Sequence, residues 1–172
     1  MNCIQCGSEV DGAFCPVCGT AVPGSVAGVV LSGWWRRVGA TFVDSLLLFL
    51  PLYVAFTLVS DVAGYFAGAV VSFALQGLYM VRLLASEAGQ TIGNRVVATR
   101  VRDALTGAAI TRNQALRRWG VISAYSVLNI VLPPALASIP AILMLADCLF
   151  PLFDGRKQTL HDKFAGTLVV RI

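Results

Sequence analysis

The chain has 172 residues, 57% hydrophobic and 13% charged, with a formal net charge of +4 and a mean hydropathy of +0.77. A soluble globular domain carries about 25% charged residues, so this composition excludes an ordinary water-soluble fold and points to a multi-pass membrane protein with small soluble ends. The basic balance does not indicate nucleic acid, because the thirteen Lys and Arg residues are dispersed in four places that flank apolar stretches, the pattern of positive-inside asymmetry.

Four of the five cysteines lie in the first 18 residues, as Cys3-x-x-Cys6 and Cys15-x-x-Cys18, each pair followed by a glycine, Gly7 and Gly19. Four thiolates at this spacing make the closed tetrahedral set that Zn²⁺ prefers, in a reducing compartment. A closed four-cysteine site leaves no position for water, so the zinc is expected to be structural. Residues 1–35 contain no Lys or Arg but do contain Glu9 and Asp11. Phosphate neutralisation needs cations, so the ribbon is not expected to bind nucleic acid. Residues 1–24 therefore read as a zinc ribbon and the start of a linker, and residues 25–33 as Gly-rich linker.

Trp34 and Trp35 mark an interface. A first span follows over 38–59, interrupted by Pro51, whose missing N–H predicts a kink. With no cleavable signal ahead of it, this span is expected to serve as insertion signal and anchor. A second span is predicted over 62–84, where Gly64, Gly68, Ser72 and Gln76 recur every four residues. Such a small, polar stripe lets another helix approach closely and is also a candidate oligomer interface. Residues 85–115 are polar and basic, and the Val-rich run 96–102 with Thr106-Gly107 predicts a short surface hairpin that residues 167–172 extend as a further strand. Thr111-x-x-Gln114 is a capping-box pattern opening a third segment over 116–132, which Pro133-Pro134 ends. A fourth segment is predicted over 135–153. The third and fourth form either a full spanning hairpin or a shallower, re-entrant one.

The turns proposed around Asp61 and Pro133 carry no Lys or Arg, so four spans with both termini inside place every cation in the cytoplasm. The reading is an all-α multi-pass membrane bundle in the cytoplasmic membrane, with an N-terminal zinc ribbon and a short cytoplasmic β element.

Three stretches together resemble the RDD family of membrane proteins, named for one arginine and two aspartates. They are Arg37-x-x-Ala40-x-x-x-Asp44, Gly89-Gln90-Thr91-Ile92-Gly93, and Leu160-His161-Asp162-Lys163-x-Ala165-Gly166-Thr167-x-Val169-Val170. The resemblance covers residues 34–172 and implies a multi-pass prokaryotic membrane domain, with transport proposed for the family and cation/proton antiport for some members.

Arg37 and Asp44 lie seven residues apart on one helix face, about 10 Å along the axis, too far for a direct bridge. Arg37 is expected to snorkel to the interface. Asp147 precedes Asp154 by the interval that separates Asp44 from Arg37, which places Asp44 and Asp147 at one depth. If their helices face each other, the pair is a candidate proton or monovalent-cation site. The alternative is that Asp44 is a hydrogen-bonded or arginine-paired anchor, with Arg95, Arg117 or Arg118 in reach, and that Asp147 is an anchor near its helix end or a carboxylate lining a wet crevice. Asp162 is expected to cap the segment that follows it or to pair with an arginine of the polar loop. His161, the one histidine, has no second ligand near it and is not expected to hold metal. No GxSxG, HExxH or phosphate-loop pattern occurs, so no enzyme activity is expected.

The function expected from the sequence is transport of a small solute, monovalent cation or proton by a homo-oligomer. The alternative is a membrane-anchored adaptor whose ribbon recruits a cytoplasmic protein.

Overall fold

The computed structural model describes residues 2–10, 15–18, 20, 30–136 and 138–172. Gly19 and most of the expected linker (21–29) lie outside the described residues.

Two long helices form the centre. Helix α1 is Trp34–Ala63 and runs on through Pro51; helix α2 is Tyr65–Leu84. Both are long and apolar enough to cross a membrane. Gly64 joins them with φ +87°, a conformation that L side chains rarely adopt. They pack antiparallel: Ser72 Oγ donates to the Leu52 carbonyl, and Tyr79 reaches back to Asp44. Helix α1 buries only Ala40 and Asp44 along its 30 residues, while Phe42, Leu46, Phe49, Leu50 and Leu58 are exposed. A helix that exposes its large apolar side chains and buries its one interior carboxylate suits lipid rather than water.

The small-residue stripe of α2 is used within the chain. A Cβ at Gly68 would strike Ser60 and the Phe56 carbonyl of α1. Close approach between these two helices accounts for the stripe without an oligomer.

The third and fourth expected spans differ from the first two. Helix α4 is Arg112–Val131, with Arg112, Arg117 and Arg118 in its first two turns. It is not apolar enough along its length to count as a span. Its start is the expected capping box, with Thr111 and Gln114 bonded reciprocally. Helix α5, Ser138–Leu149, has 12 residues and continues as a 3₁₀ turn, Phe150–Leu152. A span needs about 20 residues, so this segment is too short to cross unaided. Two apolar candidate membrane helices stand where four spans were expected.

The polar loop also folds differently. Ile92–Val96 is a short helix, α3, so the strand expected over 96–102 begins only at Thr99, and its partner is the C-terminal strand and not a segment after Thr106-Gly107. Thr91 caps α3 by accepting from the Asn94 N–H, a local competitor that outweighs the β preference of the neighbouring valines. Strand β2, Thr99–Asp103, then pairs antiparallel with β3, Thr167–Arg171, so the expected C-terminal strand is present. Val30–Leu31 adds a short β1 on the other side of β3, giving the order β1-β3-β2. That strand replaces the end of the expected linker. Helix α6, Leu160–Ala165, precedes β3. The sheet, the end of α2 and the start of α4 share a small core of Leu84, Val101, Ile110, Ala115 and Val169.

Candidate functional site

The head of α1, the start of α4 and the short α6 converge on one buried carboxylate. Asp162 is fully buried. Thr159-x-x-Asp162 forms a second capping box: Thr159 Oγ1 accepts from the Asp162 N–H, and Asp162 Oδ2 accepts from the Thr159 N–H. The box fixes the carboxylate with both oxygens turned inward. Arg37 Nη1 donates to Oδ2 at 2.5 Å, and Arg118 Nη1 pairs with Oδ1. Arg118 also donates to Thr167 Oγ1 at 2.9 Å. Arg37 therefore does not snorkel outward; its side chain is 10% exposed and ion-paired. Asp162 caps a helix and pairs with arginine, but not the following segment or the loop arginines that were expected. The helix is its own, and the arginines come from α1 and α4.

Asp147 lies beside this triad. It accepts from the His161 backbone N–H at 3.1 Å, and His161 Nδ1 lies 2.6 Å from its other oxygen. Burial and the Arg118 charge push the imidazole down to about 4, although Asp147 opposes them. His161 is thus neutral at pH 7, and its Nδ1–H donates to Asp147. With Arg37 and Arg118 positive and Asp147 and Asp162 negative, the formal charges balance.

That depressed pKa has a consequence for stability. The unfolded histidine titrates near 6.5, so between about 6.5 and about 4 the unfolded chain binds the extra proton and the folded chain does not. Stability is expected to be full above pH 6.5 and to fall as pH drops toward 4. Unfolding midpoints of wild type and His161→Gln, measured from pH 7.5 to 4, should show the smaller decline in the variant.

Asp44 has a separate set of partners. It accepts from Tyr79 Oη at 2.6 Å, Thr91 Oγ1 at 2.6 Å and the Gly93 N–H at 2.8 Å. Gly93 must be glycine here: a Cβ would strike the Ala40 carbonyl and lie 2.8 Å from the Asp44 carboxyl carbon. The residues 89–93 motif is therefore a lid that folds over Asp44 and docks α3 against α1. Asp44 and Asp147 are not brought together as one pair, and no hydrogen-bond donor is common to both. The reason is α6, which inserts His161 against Asp147 while the lid occupies Asp44.

Sequence reasoning missed Tyr79, Thr91 and Gly93 as the partners of Asp44, and it offered Arg118 to Asp44 where the structure gives it to Asp162. The spacing Thr159-x-x-Asp162 was the available signal for an inward-held carboxylate.

At the other end, Cys3, Cys6, Cys15 and Cys18 bring their Sγ atoms within 4.8 Å of one another, with Cys3–Cys18 and Cys6–Cys15 at 3.5 Å. A tetrahedral ion with 2.3 Å metal–sulfur bonds needs sulfurs about 3.8 Å apart, so the four fit one ion. The Gln5 and Val17 N–H groups donate to Cys3 and Cys15 Sγ, each at 3.4 Å. The Thr20 hydroxyl, 3.1 Å from Cys18 Sγ, holds that thiol below its ordinary pKa. Such bonds favour thiolates, the form that binds metal. Gly7 takes φ +73° at the first turn, donating its N–H to the Cys3 carbonyl. The knuckle Cys15–Cys18 sits on the loop before α6, where a Cβ at Gly155 would strike the Val17 carbonyl.

Searches of curated proteins and of solved structures returned no match. The RDD family model matches residues 31–166, from β1 through α6, which takes in Arg37, Asp44 and Asp162. The chain therefore belongs to the RDD family, as a membrane domain preceded by a four-cysteine cluster able to hold a metal ion.

Proposed function

We propose that the chain is a membrane-anchored adaptor: the RDD domain holds a zinc ribbon at the cytoplasmic face of the cytoplasmic membrane, and the ribbon recruits a protein partner. The observation that carries this reading is the saturation of the three buried carboxylates. Asp44 accepts from three donors of the chain, Asp162 from two arginines and Asp147 from His161. Each ties a surface element to a helix, and this use is structural. The ribbon meanwhile turns Ile4 and Val17 outward, 76% and 61% exposed. Exposed apolar side chains on a rigid knuckle suit a protein surface. The cations support this orientation: Arg36, Arg37, Arg82 and Arg112 gather where α1 and α4 begin and α2 ends, the edge that positive-inside asymmetry favours on the cytoplasmic side. No enzyme activity and no nucleic-acid partner are part of this reading.

Zinc is the metal that four thiolates at this spacing select in a reducing compartment. Purified protein is expected to contain one zinc per chain by elemental analysis. Cys15→Ser should lose most of it while helix content stays unchanged, because the membrane domain begins only at residue 31. Zinc retained in full by that variant would place the metal elsewhere.

A second reading, transport of a small solute, cation or proton by a homo-oligomer, draws support from one feature. Arg37 Nε and Nη2 are buried without a hydrogen-bond partner among the described residues. A guanidinium with free donors can take a further acceptor as it passes. Proton and cation flux in proteoliposomes separates the readings. An adaptor shows none, and deleting residues 1–24 abolishes its partner binding. A transporter shows flux that survives that deletion.

A further inference from the structure

Two side-chain stripes meet between α2 and α4. On α2, Ala74, Leu78 and Arg82 recur every four residues; on α4, Arg112, Leu116 and Trp119 recur at four and three. Residues at these spacings share a helix face. The stripes line a groove of about 410 Å³, within the range of small-molecule sites. Its floor is set by Gly77, where a Cβ would lie 2.7 Å from the Trp119 ring. Leu78 and Leu116 are 58% and 48% exposed along it. Helix α2 ends at the bundle edge where α4 begins, so both stripes are apolar in their deeper part and cationic at that same edge. Arg82 and Arg112 are exposed, and neither side chain has an ion-pair or hydrogen-bond partner among the described residues.

We infer that this groove binds one anionic phospholipid, its phosphate held between Arg82 and Arg112 and an acyl chain lying against Leu78, Val81, Leu116 and Trp119. Charge complementarity selects the occupant. Two forked guanidiniums offer parallel N–H donors to the non-bridging oxygens of a phosphodiester. A zwitterionic headgroup brings its own cation, which the two arginines repel. A free phosphate satisfies the arginines but leaves the apolar groove uncovered, whereas a phospholipid meets both demands at the membrane edge.

The test uses the full chain, purified in neutral detergent, stripped of lipid and titrated with phosphatidylglycerol or phosphatidylcholine, with bound lipid counted by native mass spectrometry. Wild type is expected to retain one phosphatidylglycerol per chain and to bind phosphatidylcholine about tenfold more weakly. The double variant R82Q/R112Q should lose about tenfold or more in phosphatidylglycerol affinity. R117Q, on an exposed α4 arginine outside the groove lining, should bind like wild type. Ala74→Trp, which fills the groove and keeps both arginines, should also lose the lipid; if that variant misfolds, the arginine variants decide. Equal retention of the two lipids, or equal loss in R117Q and R82Q/R112Q, overturns the site. Displacement of the lipid by millimolar inorganic phosphate also overturns it, because the groove would then contribute nothing.

Discussion

Asp162→Asn is expected to destabilise the protein by about 3–5 kcal/mol, the usual cost of removing one member of a buried ion pair. The carboxylate is fully buried between Arg37 and Arg118. An amide there keeps the shape but leaves two guanidiniums facing each other with no opposing charge between them. The capping box at Thr159 should survive, because an asparagine oxygen still accepts from the Thr159 N–H. The loss is therefore electrostatic, and a second substitution should reveal it. Arg118→Met on the Asp162→Asn background removes one orphaned charge, so the two changes should cost less together than separately, with a coupling of about 0.5–3 kcal/mol. Equilibrium unfolding in mixed micelles reads both values. An Asp162→Asn protein that unfolds within about 0.5 kcal/mol of wild type would show that the triad is incidental to stability.

The second large effect is expected at Asp44. Asp44→Leu leaves the Tyr79 hydroxyl, the Thr91 hydroxyl and the Gly93 N–H without their acceptor. An unpaired buried donor costs about 1–3 kcal/mol. The two hydroxyls can turn elsewhere but the amide cannot, so a total of about 3 kcal/mol is expected. Asp44→Asn should cost only about 1 kcal/mol. Its oxygen still accepts from Gly93 and Tyr79, and its amide nitrogen faces Thr91 Oγ1, which can accept in turn. Hydrogen exchange at Gly93 should quicken strongly in the leucine variant and little in the asparagine variant. The pair also separates the two functional readings: a lid anchor tolerates asparagine, whereas a proton carrier does not. Asparagine that preserves stability and abolishes proton flux would favour transport.

The parts of the fold that could be read from the chain are those set by near neighbours. The two CxxC knuckles, the Thr111–Gln114 capping box and the strand at Thr167–Arg171 follow from spacing and side-chain type over a few residues. The first two spans follow from a long apolar run. Helix α4 misled because its late apolar residues suggest a span while Arg112, Arg117 and Arg118 belong to the polar edge. The Asp44–Asp147 pairing failed for a different cause: equal depth does not decide which face each helix presents. Asp44 faces a lid that closes only because Gly93 lacks a Cβ. Asp147 faces a helix that begins at Leu160. Neither relation leaves a periodic trace. The arginine–aspartate pairing joins residues 125 apart, and β1 is two residues long with its partner in β3. Both depend on tertiary closure.

The separation of Arg37 from Asp162 also sets an order of events during translation. Ribosomes add roughly 5–20 residues per second, so about 6–25 s pass between the two residues. Throughout that interval α1 is already available to the insertion machinery, while Arg37 lacks the carboxylate that pairs with it. Until α6 is made, the α1–α2 hairpin must persist on helix packing and the Ser72–Leu52 and Tyr79–Asp44 hydrogen bonds. A chain interrupted before Thr159 carries Arg37 and Arg118 without the capping box or the Asp162 carboxylate. Completion of the Asp162 triad thus separates finished copies from unfinished ones, which carry Arg37 and Arg118 without the carboxylate that pairs with both.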